Sequence, residues 1–288
     1  MDVDLLVKDA VIITVNEGNE VFRGSIAIAD GLIVDVARGG GGGYTAGEVV
    51  DGRGMVAMPG LINTHVHSYQ AFLRGYPDDL PFVEWCNNVL FPFYEAVHYY
   101  QSLGDYSIGY HASLLSAVEM VKSGVTCAVS QDTLNPELPK AFLRVGMRVV
   151  YAVTLADRWL PKSCLKESAP RELVRGAEDV IKRWHGYSNN MVRCMLAPSA
   201  PFTCSEELLR EVAKSSTLNN VGISMHINET RYEVRWALKE LGMPVVKYLD
   251  SLGILSSRFL AVHCVWCSDE ELEVIRVRGA HVSHNPES

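Results

Sequence analysis

The sequence predicts an α/β protein: a (β/α)8 barrel of the TIM type, truncated after about its seventh strand and preceded by a small N-terminal β unit. Three observations predict this fold. Short β-branched segments separated by turn residues fill the N-terminal part of the chain. From residue 58 onward, apolar strand segments alternate with helical ones, which indicates parallel β/α architecture. Histidines lie at the carboxyl ends of three of these strands, where such barrels carry their chemistry.

Residues 1–57 are predicted to form the N-terminal unit, with strands over 3–15, 21–29 and 32–37. Asp30-Gly31 is typical of a two-residue hairpin turn, so we expect an antiparallel arrangement. The glycine run that follows suggests a phosphate loop, but Tyr44 stands where GxGxxG requires its third glycine. We therefore expect a flexible loop.

Residues 58–288 are predicted to form the incomplete catalytic barrel. Its strand candidates are 58–64, 124–129, 148–155, 192–198, 222–227, 259–265 and 280–284. Helical periodicity covers 102–122, 171–184, 205–214, 231–249 and 268–277. The alternative, an open doubly wound sheet, would lack both a glycine fingerprint and a reason for histidines at three strand ends.

A chain ending before the eighth strand would expose an unpaired edge, so we expect a fragment that is unstable as a free monomer.

Composition narrows the function classes. At 288 residues and 48% hydrophobic content the chain can bury a large core, and its net charge of -8, with both signs mixed, argues against a nucleic-acid partner. No signal peptide and no apolar run long enough to span a membrane are recognisable, so we expect a cytoplasmic protein without a membrane partner. Self-association into a homo-oligomer is left open.

The seven cysteines are scattered and odd in number, which favours free thiols in a reducing compartment. Cys264 and Cys267 do match a CxxC pattern. However, a zinc site needs a second pair, and a redox site normally opens a helix after a strand. The pattern is therefore weak support for either function.

His65 and His67 are the most informative residues, because side chains two apart on a strand point to the same face and both can reach one metal ion. His226 and His263 end the fifth and sixth strand candidates, so all four histidines should converge. A metal held by neutral imidazoles lowers the pKa of its water to roughly 7, which provides a hydrolytic nucleophile. Glu229 follows His226 and could transfer the proton of that water; a surface ion pair is the alternative.

The seventh strand candidate ends in a polar segment, Ser283-His284-Asn285-Pro286. The proline stops the strand, and the polar side chains would lie at the same end of the barrel as the histidines. His284 is accordingly either a substrate-facing residue or part of a structural turn.

Four segments carry a resemblance to a known family: PGLINTHVH at 59–67, HINET at 226–230, HCV at 263–265 and SHNP at 283–286. In this order and spacing they resemble the amidohydrolase superfamily. The chain is most similar to its cytosine-deaminase-like branch, which contains methylthioadenosine/S-adenosylhomocysteine deaminases, guanine deaminases and atrazine chlorohydrolase-type enzymes.

The resemblance implies roles for five residues. His65, His67 and His226 would bind one divalent metal, with zinc as the first choice and iron as the alternative. Glu229 would be the proton shuttle, and His263 would orient the attacking water or polarise the substrate. The N-terminal unit would be part of the family's β-sandwich, and the family's fourth metal ligand, a strand-eight aspartate, has no counterpart before residue 288.

The substrate expected from this resemblance is a small heterocyclic molecule. Tyr94 occupies the position of the ribose-binding glutamate of nucleoside deaminases, and Val153 that of an arginine, while Trp85 and Pro92 resemble the triazine hydrolases. Trp85, Tyr94 and His284 are therefore the substrate-binding candidates.

The predicted function is that of a metal-dependent hydrolase acting on non-peptide carbon-nitrogen bonds, which deaminates an amino-substituted nitrogen heterocycle such as a purine or purine nucleoside derivative. Two alternatives stay open. One is a triazine-type chlorohydrolase or aminohydrolase, and the other is a catalytically inactive truncated remnant that only binds.

Overall fold

The computed structural model describes residues 1–40, 42–77, 79–132, 135–161 and 169–286. The chain forms two compact units, Met1–Leu61 and Ile62–Ser288. Cys164 lies outside the described residues. Within the described part of the chain, no helix combines the length and apolarity that crossing a membrane requires.

The N-terminal unit is a single twisted sheet. Its strands are β1 (Asp2–Ile13), β2 (Val21–Ala29), β3 (Leu32–Arg38), β4 (Thr45–Asp51) and β5 (Val56–Ala57). They lie in the order β3-β2-β1-β4, with β5 also paired to β1. Asp30 and Gly31 both have a left-handed backbone, with φ of 52° and 73°, as the predicted hairpin between β2 and β3 requires.

The three predicted strands pair antiparallel, as expected, whereas β4 and β5 were not predicted and run parallel to β1. Most side chains of β4 are exposed, so its sequence lacks the apolar alternation by which a strand is recognised. A small apolar cluster of this unit forms around Val3, Leu6 and Ala27.

The second unit contains a parallel sheet whose strand order follows the chain. Its strands are β6 (Leu61–Val66), β7 (Val125–Asp132), β8 (Arg148–Leu155), β9 (Val192–Pro198), β10 (Gly222–Ile227), β11 (Phe259–His263) and β12 (His281–Ser283). The pairs from β7 to β12 are all parallel. This confirms the predicted (β/α)-barrel class, because sequential parallel neighbours joined by helices are its defining topology.

Helices connect these strands. They are α1 (Phe82–Trp85), α2 (Phe91–Ser102), α3 (Ser107–Lys122), α4 (Leu138–Arg144), α5 (Pro170–Trp184), α6 (Tyr187–Asn190), α7 (Glu206–Asn219), α8 (Arg231–Glu240), α9 (Val245–Ser251) and α10 (Asp269–Val277). A π-helical turn, Cys86–Leu90, joins α1 to α2. Such turns are frequent at functional sites.

The helix predicted over 231–249 is two helices. Gly242 has a φ of 70°, and Pro244 precedes α9 as its N-cap. Proline has no amide hydrogen to continue the α8 ladder, so the chain breaks there and restarts. The helix predicted from residue 102 likewise begins at Ser107, because Gly104, with a φ of 82°, separates it from α2.

The core lies between the parallel sheet and its helices. Its largest fully buried side chains include Tyr151, Phe142, Phe259, Leu209 and Leu249. Burying each such aliphatic or aromatic side chain stabilises the fold by about 1.5–3 kcal/mol.

One polar contact links the first and seventh strands of the barrel. The hydroxyls of Thr64 in β6 and Ser283 in β12 share a hydrogen bond of 2.7 Å. Side chains of alternate strands form common layers inside an eight-stranded barrel, so strands one and seven contribute to the same layer. A contact between side chains of the first and seventh strands is therefore expected when the strands are arranged as in an eight-stranded barrel.

Helix α7 offers a matched test of the core. Leu209 is 0% exposed and Leu218, on the same helix, is 75% exposed. We expect Leu209→Ala to lower the free energy of unfolding by about 2–5 kcal/mol, because it removes buried methyl groups and leaves a cavity. Leu218→Ala should change it by less than about 0.5 kcal/mol. Urea unfolding measures both, and equal losses would contradict this packing.

Candidate active site

The site forms at the carboxyl ends of three barrel strands. His65 lies in β6 and His67 directly follows it, which puts both on one face. His226 is the penultimate residue of β10, and His263 is the last residue of β11. Since Ile227 pairs with His263 across these strands, the loops that follow them are held side by side. Glu229 lies in the first of these loops.

The structure brings His65, His67 and His226 into one cluster. One ring nitrogen of each lies within 4.8 Å of the others. The ring of His65 packs edge-on against both partners, with centroid distances of 4.7 Å to His67 and 4.9 Å to His226. The sequence-predicted trio is therefore arranged so that it could hold a single ion.

Backbone carbonyls fix the protonation pattern of two of these rings. His67 Nδ1 donates to the Gln131 carbonyl at 2.8 Å, and His226 Nδ1 donates to the Ser199 carbonyl at 2.6 Å. Both Nε2 atoms then carry a lone pair, and they face each other at 3.2 Å. Two acceptors this close repel each other unless a cation binds between them.

Burial keeps the cluster uncharged, and neutral imidazole is the form that binds metal. Burial and the charge of His226 lower the pKa of His67 to about 3. Burial, together with the charges of the other three histidines, also lowers the pKa of His65, and burial lowers that of His226. His65 Nδ1 is buried without a hydrogen-bond partner.

These donors fit a divalent metal. Two nitrogens bound at about 2.0–2.1 Å in tetrahedral geometry lie roughly 3.3 Å apart. The observed 3.2 Å between the Nε2 atoms of His67 and His226 matches that separation.

Glu229 and His263 lie together beside the histidine cluster. Glu229 Oε2 is 3.7 Å from His263 Nε2, and their side chains are 17% and 3% exposed. Burial, reinforced by the charge of Glu233, raises the pKa of Glu229 to about 7. A carboxyl group with such a pKa can accept and return a proton at neutral pH.

His263 is neutral, and its Nδ1 atom is hydrogen-bonded. Burial, with the charges of His226 and His284, lowers its pKa to about 3. Asn285 Nδ2 lies 3.4 Å from His263 Nδ1, where it donates to that nitrogen. The ring proton of His263 is then on Nε2, the atom that faces Glu229.

The two loops that carry this pair have an unusual backbone. Asn228, His263 and Cys264 have φ values of 48°, 76° and 54°. Such left-handed conformations cost on the order of 1–3 kcal/mol for each residue with a side chain and cluster at functional sites. Cys264 N donates to the Ile227 carbonyl at 2.9 Å, which ties the two loops together.

The three predicted substrate-binding residues lie at different depths. The Tyr94 hydroxyl is hydrogen-bonded to that of Tyr69, whose ring centroid is 5.7 Å from that of His67. His284 is exposed, and its charge acts on His263. Trp85 is partly buried at the end of α1.

The π-helical turn after α1 interacts electrostatically with Glu229. Burial raises the pKa of Cys86, in that turn, to about 12, and the charge of Glu229 adds to the effect. The substrate contacts of Trp85, Tyr94 and His284 stay predictions.

Sequence reasoning missed several residues of the site. Gln131 and Asp132 are buried at the end of β7, beyond the strand end predicted at residue 129. Polar residues following an apolar strand were the available signal. Ser199 contributes its backbone carbonyl. Because every residue type has this group, the identity of residue 199 could not indicate the role.

Fold and site together define a (β/α)-barrel protein with a histidine cluster at the carboxyl ends of its strands. The sequence model of the amidohydrolase family matches residues 56–288. The chain belongs to the amidohydrolase family, as the four sequence segments predicted.

Relatives of known family agree with this assignment. The chain is 35% identical over 284 residues to a 5′-deoxyadenosine deaminase of Methanothermobacter thermautotrophicus, covering 98% of this chain and 63% of that protein. It is 34% identical over 286 residues to a 5-methylthioadenosine/S-adenosylhomocysteine deaminase of Desulforudis audaxviator, covering 99% of this chain and 63% of that protein. The chain thus spans less than two thirds of the length of these relatives.

A solved structure shows the same fold. The crystal structure of an adenosine deaminase of Xanthomonas campestris with bound zinc superposes with a TM-score of 0.88 at 23% identity. The match covers 99% of this chain and 63% of that chain.

The buried Glu229 predicts a pH dependence of stability. Its pKa is about 7 in the folded protein and 4.5 when the side chain is fully hydrated, as in the unfolded chain, so between these values the folded state binds more protons than the unfolded one. Stability is therefore lost as pH rises from 4.5 to 7, by roughly 2–3 kcal/mol for this group.

Glu229→Gln should remove that loss. Between pH 4.5 and 8 the free energy of unfolding of the variant should therefore rise relative to that of the wild type by roughly this amount. Urea unfolding with a chelator present measures the difference without metal linkage. The exposed Glu172→Gln should follow the wild type, and parallel curves for all three proteins would contradict the buried carboxyl group.

Proposed function

We propose that this chain carries the active site of a metal-dependent aminohydrolase that deaminates a purine nucleoside derivative. The observation that carries the proposal is the pair of Nε2 lone pairs of His67 and His226 at 3.2 Å, with the Glu229 carboxyl group close to His263. The deaminase relatives support the same reaction.

We infer zinc as the metal, held by His65, His67 and His226. A set of neutral imidazole nitrogens suits zinc, and iron is the alternative. When bound, the metal supplies Lewis acidity, which makes water a competent nucleophile at neutral pH. The zinc of the Xanthomonas campestris enzyme supports the choice.

Glu229 performs the proton transfers in the proposed reaction. Its carboxylate takes a proton from the attacking water, and the same oxygen then returns that proton to the departing amino nitrogen. Water adds to the electron-poor ring carbon and ammonia leaves, so the ring amine is replaced by a carbonyl. The pKa of Glu229, raised to about 7, suits both halves of the cycle.

His263 and the tyrosine pair position the reactants. His263 Nε2 carries the ring proton and donates to the water or to a ring nitrogen of the substrate. Tyr69 and Tyr94 would form a wall beside His67 against which a flat heterocycle can pack. Trp85 and His284 are the remaining proposed substrate contacts.

The substrate we favour is adenosine altered at its 5′ position, because the relatives named above act on such nucleosides. Location in the cytoplasm and self-association stay predictions. Triazine hydrolysis and binding without turnover are the competing functions.

Glu229→Gln tests the proton shuttle. We expect kcat to fall by about 10²–10⁴, because the water loses its base while the ring nitrogens are untouched. Zinc content, measured by mass spectrometry, should stay at the wild-type level. As a control, His65→Asn should lose metal. A Glu229→Gln protein that is as active as the wild type would contradict the role assigned to Glu229.

A substrate panel tests the reaction class. Ammonia release should be highest with 5′-deoxyadenosine or methylthioadenosine, and an aminotriazine should release little. Chloride release from a chlorotriazine would favour the triazine alternative. Zinc-loaded, folded protein that turns over no member of the panel would favour binding alone.

A further inference from the structure

We propose that Cys264 and Cys267 form a reversible disulfide by exchange with a small-molecule disulfide, and that this bond displaces His263 relative to Glu229. Disulfide formation is independent of the proposed function. Only its effect on turnover rests on that function.

The two cysteines are placed for bonding. Both are free thiols, and their side chains interact: each thiol is the main cause of the other's pKa shift, upward for Cys264 and downward for Cys267. Cys267 N donates to the Cys264 carbonyl at 3.5 Å, which makes the segment a four-residue turn. In such a turn the outer Cα atoms lie within about 7 Å, close to the range that a disulfide spans.

The turn is open to small reagents at its tip. Val265 and Trp266 are 46% and 42% exposed, and both cysteines are only partly buried. The neighbouring Cys264 thiol lowers the pKa of Cys267 against the opposing effect of burial, and so does Asn228 Nδ2, which donates to Cys267 Sγ at 3.4 Å. Burial instead raises the pKa of Cys86, Cys127, Cys194 and Cys204.

The exchange balances in atoms and electrons. The Cys267 thiolate attacks one sulfur of the small disulfide, forms a mixed disulfide and releases one small thiolate. Cys264 then loses its proton and attacks Cys267 Sγ, which releases the second small thiolate. The pair is oxidised by two electrons, the small disulfide is reduced by two, and the released thiolates take up the protons.

Closing the bond would act on both catalytic loops. Cys264 directly follows His263, and its amide is held by the Ile227 carbonyl. Trp266 N donates to the Asn228 carbonyl at 2.9 Å, and Arg231 stacks on the Trp266 ring at 4.2 Å. A sulfur pair that contracts to about 2.05 Å would therefore pull on the backbone on both sides of Glu229.

The test exposes the purified, zinc-loaded protein to oxidised glutathione at graded ratios to reduced glutathione. Peptide mass spectrometry after thiol alkylation should find a Cys264–Cys267 disulfide, with the other described cysteines alkylated. On oxidation kcat/KM for the best deamination substrate should fall roughly 10- to 100-fold, because a shift of about 1 Å in a catalytic group has that effect. Dithiothreitol should restore it.

Cysteine variants distinguish the effect of the Cys264–Cys267 disulfide from the effect of oxidation at other residues. Cys267→Ser and, independently, Cys264→Ser should show no oxidation-dependent loss relative to their own reduced activity. Cys127→Ser, which alters a thiol elsewhere in the barrel, should respond as the wild type does. Circular dichroism melting confirms that each variant is folded.

Hydrogen exchange of residues 227–231 supplies a readout that does not need turnover. It should differ between the oxidised and reduced proteins even if no deaminase activity is found, in which case the proposed function alone has failed. A pair that stays reduced, a glutathione adduct without the internal bond, or a disulfide that leaves exchange in 227–231 unchanged would each overturn the inference.

Discussion

The site depends on one close approach: the Nε2 atoms of His67 and His226 face each other, and each carries a lone pair. Each ring can present Nε2 in this way only because its Nδ1 proton is bound by a main-chain carbonyl, of Gln131 in one case and of Ser199 in the other. Each carbonyl comes from the end of the strand next to that of its histidine: Gln131 from β7 beside β6, and Ser199 from the end of β9 beside β10. The register of the barrel thus fixes the tautomers, and the tautomers fix what the site can bind.

A second set of buried polar contacts supports the loops that carry Glu229 and His263. Glu271 begins α10 in a capping box with Ser268, and it also accepts from Asn228 Nδ2 at 3.1 Å and from the Val246 amide at 3.2 Å. Glu233 caps α8 in the same manner and raises the pKa of Glu229. Residues that cap the start of a helix therefore also position the loops of Glu229 and His263 or shift their pKa values, so helix capping and site electrostatics are not separable here.

Much of the site was predictable because its residue types are chemically distinctive. His65 and His67 share a face by the period of a strand, and His226, Glu229 and His263 follow strands of a recognisable barrel, so their convergence followed from topology. The roles of Gln131 and Ser199 did not follow, since backbone carbonyls leave no mark in a sequence. The strand β4 and the break between α8 and α9 depend on tertiary pairing and on Gly242 and Pro244, which local periodicity describes poorly.

The distance along the chain between the facing nitrogens has a consequence for the order of folding. His67 and His226 are 159 positions apart, and the carbonyls that orient them come from strands in between. No short segment can assemble the pair, so a high-affinity site cannot exist before five consecutive strands have found their register. Metal capture is therefore a late event, and the ion would stabilise a barrel that is already complete through its fifth strand instead of nucleating it.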